Sequence, residues 1–279
     1  DADVMAFEKD LLTGTILRHL YPDHKMRTCG FEKIEKPFNN YFDLAVSNIP
    51  FGDIAVFDAE FQRSDSFGRR SAQNAIHNYF FLKGLDTVRD GGIVAFITSQ
   101  GVLNSTKTSV RNELFRQANL VSAVRLPNNL FTDNAGTEVG SDLIVLQKQS
   151  GKEIGEGIEQ QFVQTASVPK GDGFSIAFNH NSLFEGEWKD ISHRTIVTDR
   201  QMGTDPYGKL AWEYTFDGSI EDMADSLRTQ LSLEVEQRFD RKLYETGIPM
   251  TEEEWQVHMD KMVQKVQENI KTEGIPQEQ

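Results

Sequence analysis

The chain has 279 residues, with 29 Lys and Arg against 43 Asp and Glu and a formal net charge of −14. Apolar residues make up 38% of it, mean hydropathy is −0.48, and no run approaches the ~18 consecutive apolar residues of a membrane helix, so a membrane-spanning or broadly basic protein is excluded and a cytoplasmic setting is expected. The single Cys29 rules out an internal disulfide, and six histidines without ligand spacing give no reason to expect a metal site.

The charge is uneven. Residues 1–148 carry 16 basic and 18 acidic side chains, and residues 149–279 carry 13 and 25. A phosphate-gripping surface is therefore expected in the first part or nowhere. The chain opens at Asp1 straight into strand-like sequence, as a piece cut from a longer polypeptide would.

In chain order, VMAFE (4–8) reads as a strand. LLTGTILRHLY (11–21) has apolar residues at helical spacing and stops at Pro22. MRTCGFE (26–32) reads as a weaker strand, and YFDLAVSN (41–48) as one covered on both faces. SAQNAIHNYFFLKGLDTVRD (71–90) predicts one helix ending at Gly91-Gly92, followed by the buried strand GGIVAFITS (91–99). SVRNELFRQA (109–118) predicts a helix, and LVSAVRLP (120–127) and SDLIVLQK (141–148) two more strands. Strands alternating with helices predict an α/β domain over 1–148 with a mostly parallel sheet.

Residues 149–218, rich in Gly, Ser and acids, predict an irregular acidic extension. Residues 219–279 predict a helical hairpin. Its first helix (219–245) aligns Ile220, Met223, Leu227, Leu231, Val235, Phe239 and Leu243. Its second opens on the capping box TEEE at Thr251, with Met250 and Trp255 as a staple. Such stripes pack on each other or on the parent domain more often than on a partner helix.

The stretch that carries chemistry is SNIPFG (47–52). A strand ends on an amide, proline blocks its continuation, and an aromatic face follows. The Asn48 carbonyl and the backbone carbonyl of Ile49 are two acceptors for an exocyclic amino group. Phe51 offers a surface for stacking a planar ring. A plain turn, with Asn48 capping the backbone and Phe51 in the core, is the competing reading of these six residues.

At these residues the chain resembles the N6-adenine DNA methyltransferases, among them modification subunits of type I restriction systems and related large methylases. That family's signature is Asn/Asp-Pro-Pro-Tyr/Phe after a strand. Here it stands as Asn48-Ile49-Pro50-Phe51, departing at Ile49, which still supplies the backbone carbonyl the family uses. The runs RLPNNLF and SDLIVLQK carry the resemblance further, over roughly residues 3–148.

The resemblance implies a Rossmann-like sheet that uses S-adenosyl-L-methionine. Glu8 would take the ribose hydroxyls, and Phe31 or Glu32 would lie near the cofactor's adenine. The family's first strand and glycine-rich turn are missing before Glu8, so they are expected upstream of Asp1 in the parent polypeptide. The implied reaction methylates an adenine flipped out of DNA, stacked on Phe51 and held by Asn48 and Ile49. Arg69 and Arg70 would meet DNA phosphates, or lie in a solvated loop. His77 reads as packed or superficial, and the glycine-bearing loop 128–142 as lying near the pocket mouth. The rest of the polypeptide or a specificity subunit would read the sequence. A different acceptor (an RNA base or a protein glutamine) and an inactive scaffold remain as alternatives.

Overall fold

The computed structural model describes residues 2–52, 54–132, 136, 138–171, 175–186, 194–205 and 208–247. Strands β1 (Met5–Glu8) and β2 (Lys25–Thr28) pair in parallel, joined by helix α1 (Leu11–Leu20). The Asp10 carboxylate starts α1 by accepting the Thr13 N–H at 2.7 Å, and Arg18 and His19 sit in its last turn, where the helix dipole favours positive charge.

A second sheet holds β3 (Phe42–Asn48), β4 (Val88–Ser99), β5 (Ala118–Leu126) and β6 (Ser141–Lys148), in the order β3-β4-β6-β5. Strands β3 and β4 are parallel. Strand β6 runs antiparallel to both neighbours, so β3, β4 and β5 share one direction and β6 alone is reversed within the mostly parallel sheet that was expected. The cause is local: β6 follows β5 without a crossover helix to carry it back, and neighbouring strands joined that way run antiparallel.

The single helix expected over 71–90 is instead α3 (Phe67–Ala72) and α4 (Ile76–Thr87), with short α2 (Ala59–Gln62) before them. Strand β4 starts three residues earlier than the glycine pair suggested. Gly91 lies within it at φ +78°, where a Cβ would also collide with the Leu243 carbonyl. Beyond β4 come α5 (Gly101–Asn104) and α6 (Ser109–Phe115).

The main core lies between one face of the second sheet (Val94 and Phe96 of β4, Ile144 and Leu146 of β6) and the helices α4 and α6, through Tyr79, Phe81, Leu82, Leu85, Leu114 and Phe115. Helix α7 (Ile158–Val163) adds Phe162 and Val163. The stretch expected to be irregular contains two antiparallel hairpins, β7 (Thr165–Pro169) with β8 (Ile176–Asn181) and β9 (Asp199–Thr204) with β10 (Leu210–Thr215).

The expected 219–245 helix divides into α8 (Ile220–Arg238) and α9 (Arg241–Thr246). Ser219 and Asp222 form a capping box at the start of α8. Met223, Leu227 and Leu231 of its stripe pack with Val124, Leu126, Leu143 and Ile196 on the opposite sheet face. The break has a partner in the sheet. Gln147 Oε1 accepts the Asp240 N–H at 2.9 Å, and Gln147 Nε2 donates to the Asp240 carbonyl at 2.8 Å. Asp240 then caps α9 by accepting the Leu243 N–H at 2.9 Å. The second helix expected from Thr251 lies outside the described residues.

Among the described residues no strand pairing joins β1 or β2 to β3 or β4. The unpaired edges of β1 and β3 form two walls of one groove of about 1390 Å³. On β3, Leu44 and Val46 are 54% and 70% exposed, so an apolar strand meant for a sheet interior stands open. Aromatic edges bridge the gap, with Phe7 6.5 Å from Phe42 and 6.3 Å from Phe38, centroid to centroid.

Candidate functional site

The groove collects the strand ends. Glu8 closes β1, Asn48 closes β3, and Cys29, Phe31, Glu32 and Pro50 stand beside them on its walls. Carboxyl ends of strands in open α/β sheets are where ligands bind.

The structure shows how the SNIPFG turn is built. The Ile49 N–H donates to the Ile97 carbonyl at 2.9 Å, extending the β3–β4 ladder by one bond. The Ile49 side chain is 1% exposed and belongs to the core. That placement explains how an isoleucine serves at the position where the motif has proline: it anchors the turn by burial. Pro50 faces the groove and Phe51 is half-buried. Gly52, at φ +148°, turns the chain in a conformation side chains rarely adopt.

The Phe51 ring meets Phe131 edge-on, 6.0 Å between centroids at 74°. Phe131 closes the turn Asn128–Phe131 that follows β5. It was not singled out from the sequence, although the run RLPNNLF that contains it was.

On the opposite side, Phe31 stacks on Phe80 at 4.5 Å and 27°, and both line the groove. Glu32 lies next to them, its carboxylate folded over Gly30. Glu8 Oε1 accepts the Asp10 N–H at 2.7 Å, which fixes the carboxylate at the strand end. Burial, then the charge of Glu35, pushes the Cys29 thiol up. Glu8, Phe31, Glu32, Asn48 and Pro50 are thus brought together, with Phe51 on the adjoining turn.

The two arginines stand elsewhere. Arg69 is mostly buried, bridged to Asp86 through both carboxylate oxygens, with its guanidinium 4.3 Å over the Phe61 ring. It closes α3 onto α4 rather than presenting a charge to a phosphate. Arg70 is exposed, but its Nη1 donates to the carbonyls of Ser64 and Asp65. His77 is packed, 8% exposed.

Asp58 stiffens the loop leaving the site. Its carboxylate accepts from Tyr79 Oη at 2.7 Å and from the Glu60 and Phe61 N–H groups. Burial opposes its charge, yet these bonds and Lys83 at 3.8 Å hold it below the usual carboxylate range, while the Tyr79 hydroxyl is pushed up.

At the same sheet edge Arg125 and Asp142 form a fully buried pair at 2.8 and 3.0 Å, with the Arg125 guanidinium over Phe184 at 4.2 Å. His180 is pushed down to about 4 by burial and then by the charges of Arg125 and Arg200. Among the described residues no three His, Cys, Asp or Glu side chains group as metal ligands, and no helix is long and apolar enough to cross a membrane.

The family model N-6 DNA Methylase matches residues 21–196. No curated protein matches. Among solved structures, the type I restriction-modification methyltransferase subunit from Streptococcus thermophilus is similar at 14% identity, over 82% of this chain and 42% of that one, with a TM-score of 0.49. The EcoKI M protein of a type I restriction enzyme is similar at 15% identity, over 84% and 59%, with a TM-score of 0.45. A chain of a type I R-M system reaches 22% identity over 52% and 30%, with a TM-score of 0.39. The chain therefore spans between 30% and 59% of the length of these proteins. With the family model matched over more than half of its own length, the chain belongs to the N-6 DNA methylase family.

Proposed function

We propose that this chain carries the acceptor half, and part of the cofactor half, of a methyltransferase acting on the N6 amino group of adenine in DNA. The observation that supports it is the groove itself. A strand-end amide and a proline stand on one wall, with a half-buried phenylalanine on the adjoining turn, and a strand-end carboxylate and an aromatic stack line the same groove.

S-adenosyl-L-methionine suits that donor set. Glu8 offers carboxylate oxygens to a vicinal diol, and the Phe31–Phe80 stack offers an apolar wall to a purine, with Glu32 beside it. Bound there, the cofactor supplies an electrophilic methyl group. The chain's own part is positioning. Phe51 holds the flipped base by its face. The Asn48 Oδ1 and the Ile49 carbonyl accept hydrogen bonds from the two amino protons and draw the nitrogen toward a tetrahedral geometry, its lone pair less delocalised into the ring. Holding two reactants in line is worth several orders of magnitude in rate. The slot between β1 and β3 takes a further strand of the parent polypeptide, which completes the cofactor site. A specificity subunit or another part of that polypeptide reads the DNA sequence.

The test uses the full-length polypeptide with S-adenosylmethionine and unmethylated DNA, followed by digestion and mass spectrometry for N6-methyladenine. Product formed by the wild type and lost in Asn48→Ala is the expected result. Cofactor binding without methyladenine would move the assignment to an RNA base or a protein glutamine. Absence of cofactor binding would favour the scaffold, a reading that the open strand slot supports for this chain taken alone.

A further inference from the structure

The turn that carries Phe131 is held by side-chain hydrogen bonds to residues that do not line the groove. Strand β10 pairs along one edge with β9. Along its other edge, two asparagine side chains stand in for a strand. Asn128 Oδ1 accepts the Tyr214 N–H at 3.2 Å. Asn129 pairs with both main-chain groups of one residue, its Oδ1 accepting the Phe216 N–H at 3.2 Å and its Nδ2 donating to the Phe216 carbonyl at 3.0 Å. The next residue, Leu130, packs into the core formed with Met223 of α8 and with Phe216. The residue after that is Phe131, whose ring edge meets Phe51. Each position of this short turn thus has its own attachment, first to the hairpin, then to the helix, then to the slot.

We infer that Asn129 is a positioning residue: by clipping the turn 128–131 to Phe216 it sets where Phe131 stands against Phe51, and so the width of the slot that receives the base. This rests on the reading that Phe51 stacks on the target. The β9–β10 hairpin and α8 thereby become part of the active centre's frame. A side-chain amide engaging one residue's N–H and C=O is a directional, two-point contact, and losing it frees the turn without emptying the core. The Gln147 contact to Asp240 is the same device used at the other end of α8.

The test compares wild type, Asn129→Leu, Phe131→Leu and the double variant in the full-length polypeptide. The expected result is a kcat about 10-fold to 100-fold lower in Asn129→Leu, with cofactor affinity unchanged within twofold and the melting temperature nearly retained. The double variant should lose no more than the worse single one, because both act through one ring. Additive losses, or a cofactor affinity that falls with kcat, would overturn the inference. A second arm reads the slot without DNA: with fluorinated phenylalanine, the 19F resonance assigned to Phe51 should move in Asn129→Leu and in Phe131→Leu alike. An unmoved resonance in Asn129→Leu overturns the clip. Because this arm needs no turnover, absence of methyladenine from the wild type would refute the proposed reaction while leaving the clip to be decided by the resonance.

Discussion

The role proposed for Asn48 rests on position. It is the last residue of β3, paired in register with Ile97, it lines the groove, and the next N–H is already committed to the ladder. Asn48→Ala should therefore lower kcat by about 10²–10³-fold, the usual cost of removing one preorganised polar group, with cofactor binding intact by calorimetry. Glu8→Gln should act on the other reactant, weakening cofactor binding about tenfold in the same titration, since one charge-assisted hydrogen bond is worth roughly 1.5–3 kcal/mol. His180 makes a prediction in pH. Its folded value, about 4, lies below that of an exposed histidine, so protonation favours the unfolded chain. The stability it contributes is complete above about pH 6.5 and is lost as pH falls toward 4. Chemical denaturation across that window should show a slope in the wild type that is reduced in His180→Asn. The asparagine, proline and phenylalanine were legible in the sequence because a strand that stops at proline is a local signal. The fate of Arg69 was not, because its partner Asp86 lies 17 residues on and meets it only once α3 packs on α4.

At the scale of elements, most strands were readable from apolar runs, and the errors fall where a tertiary contact overrules a local sign. The pair Gly91-Gly92 reads as a helix stop, yet the helix has already ended at Thr87, and Gly91 instead lets β4 pass under the Leu243 carbonyl of α9. Gly91→Ala should cost about 1–3 kcal/mol, from both the left-handed backbone and the collision, measured as a shift in the denaturation midpoint. The split between α8 and α9 was likewise invisible, because the apolar stripe continues across it while Gln147, 93 residues away, engages Asp240. Gln147→Leu should destabilise by roughly 1–3 kcal/mol by leaving the Asp240 main chain unpaired. The reversal of β6 was not legible, because alternation along the chain records which side chains are buried and not which way the strand runs.

Across the whole molecule, the charge asymmetry separates a near-neutral first part from an acidic second one. The β9–β10 hairpin of the acidic part is tied to the turn after β5 through Asn128 and Asn129, in a stretch that composition alone reads as an irregular extension. The unpaired edge of β3, with Leu44 and Val46 open, is also a template for unwanted pairing. Val46→Lys should reduce self-association of the isolated chain, followed by light scattering, while β4 and β6 keep their pairing.

The gap between β1 and β3 has a consequence in time. Among the described residues the unit of β1, α1 and β2 is joined to the larger sheet by ring contacts and by the segment between β2 and β3, with no ladder between them. Such a unit opens without the rest unfolding, so its amides should exchange with deuterium far sooner than those of β4 and β6. Glu8 rides on that unit and Asn48 does not. In the chain alone, the grip on a bound nucleoside would then be as brief as the closed interval of this leaf, and a strand inserted into the slot would act as a latch, prolonging that interval without adding a contact to the reacting atoms.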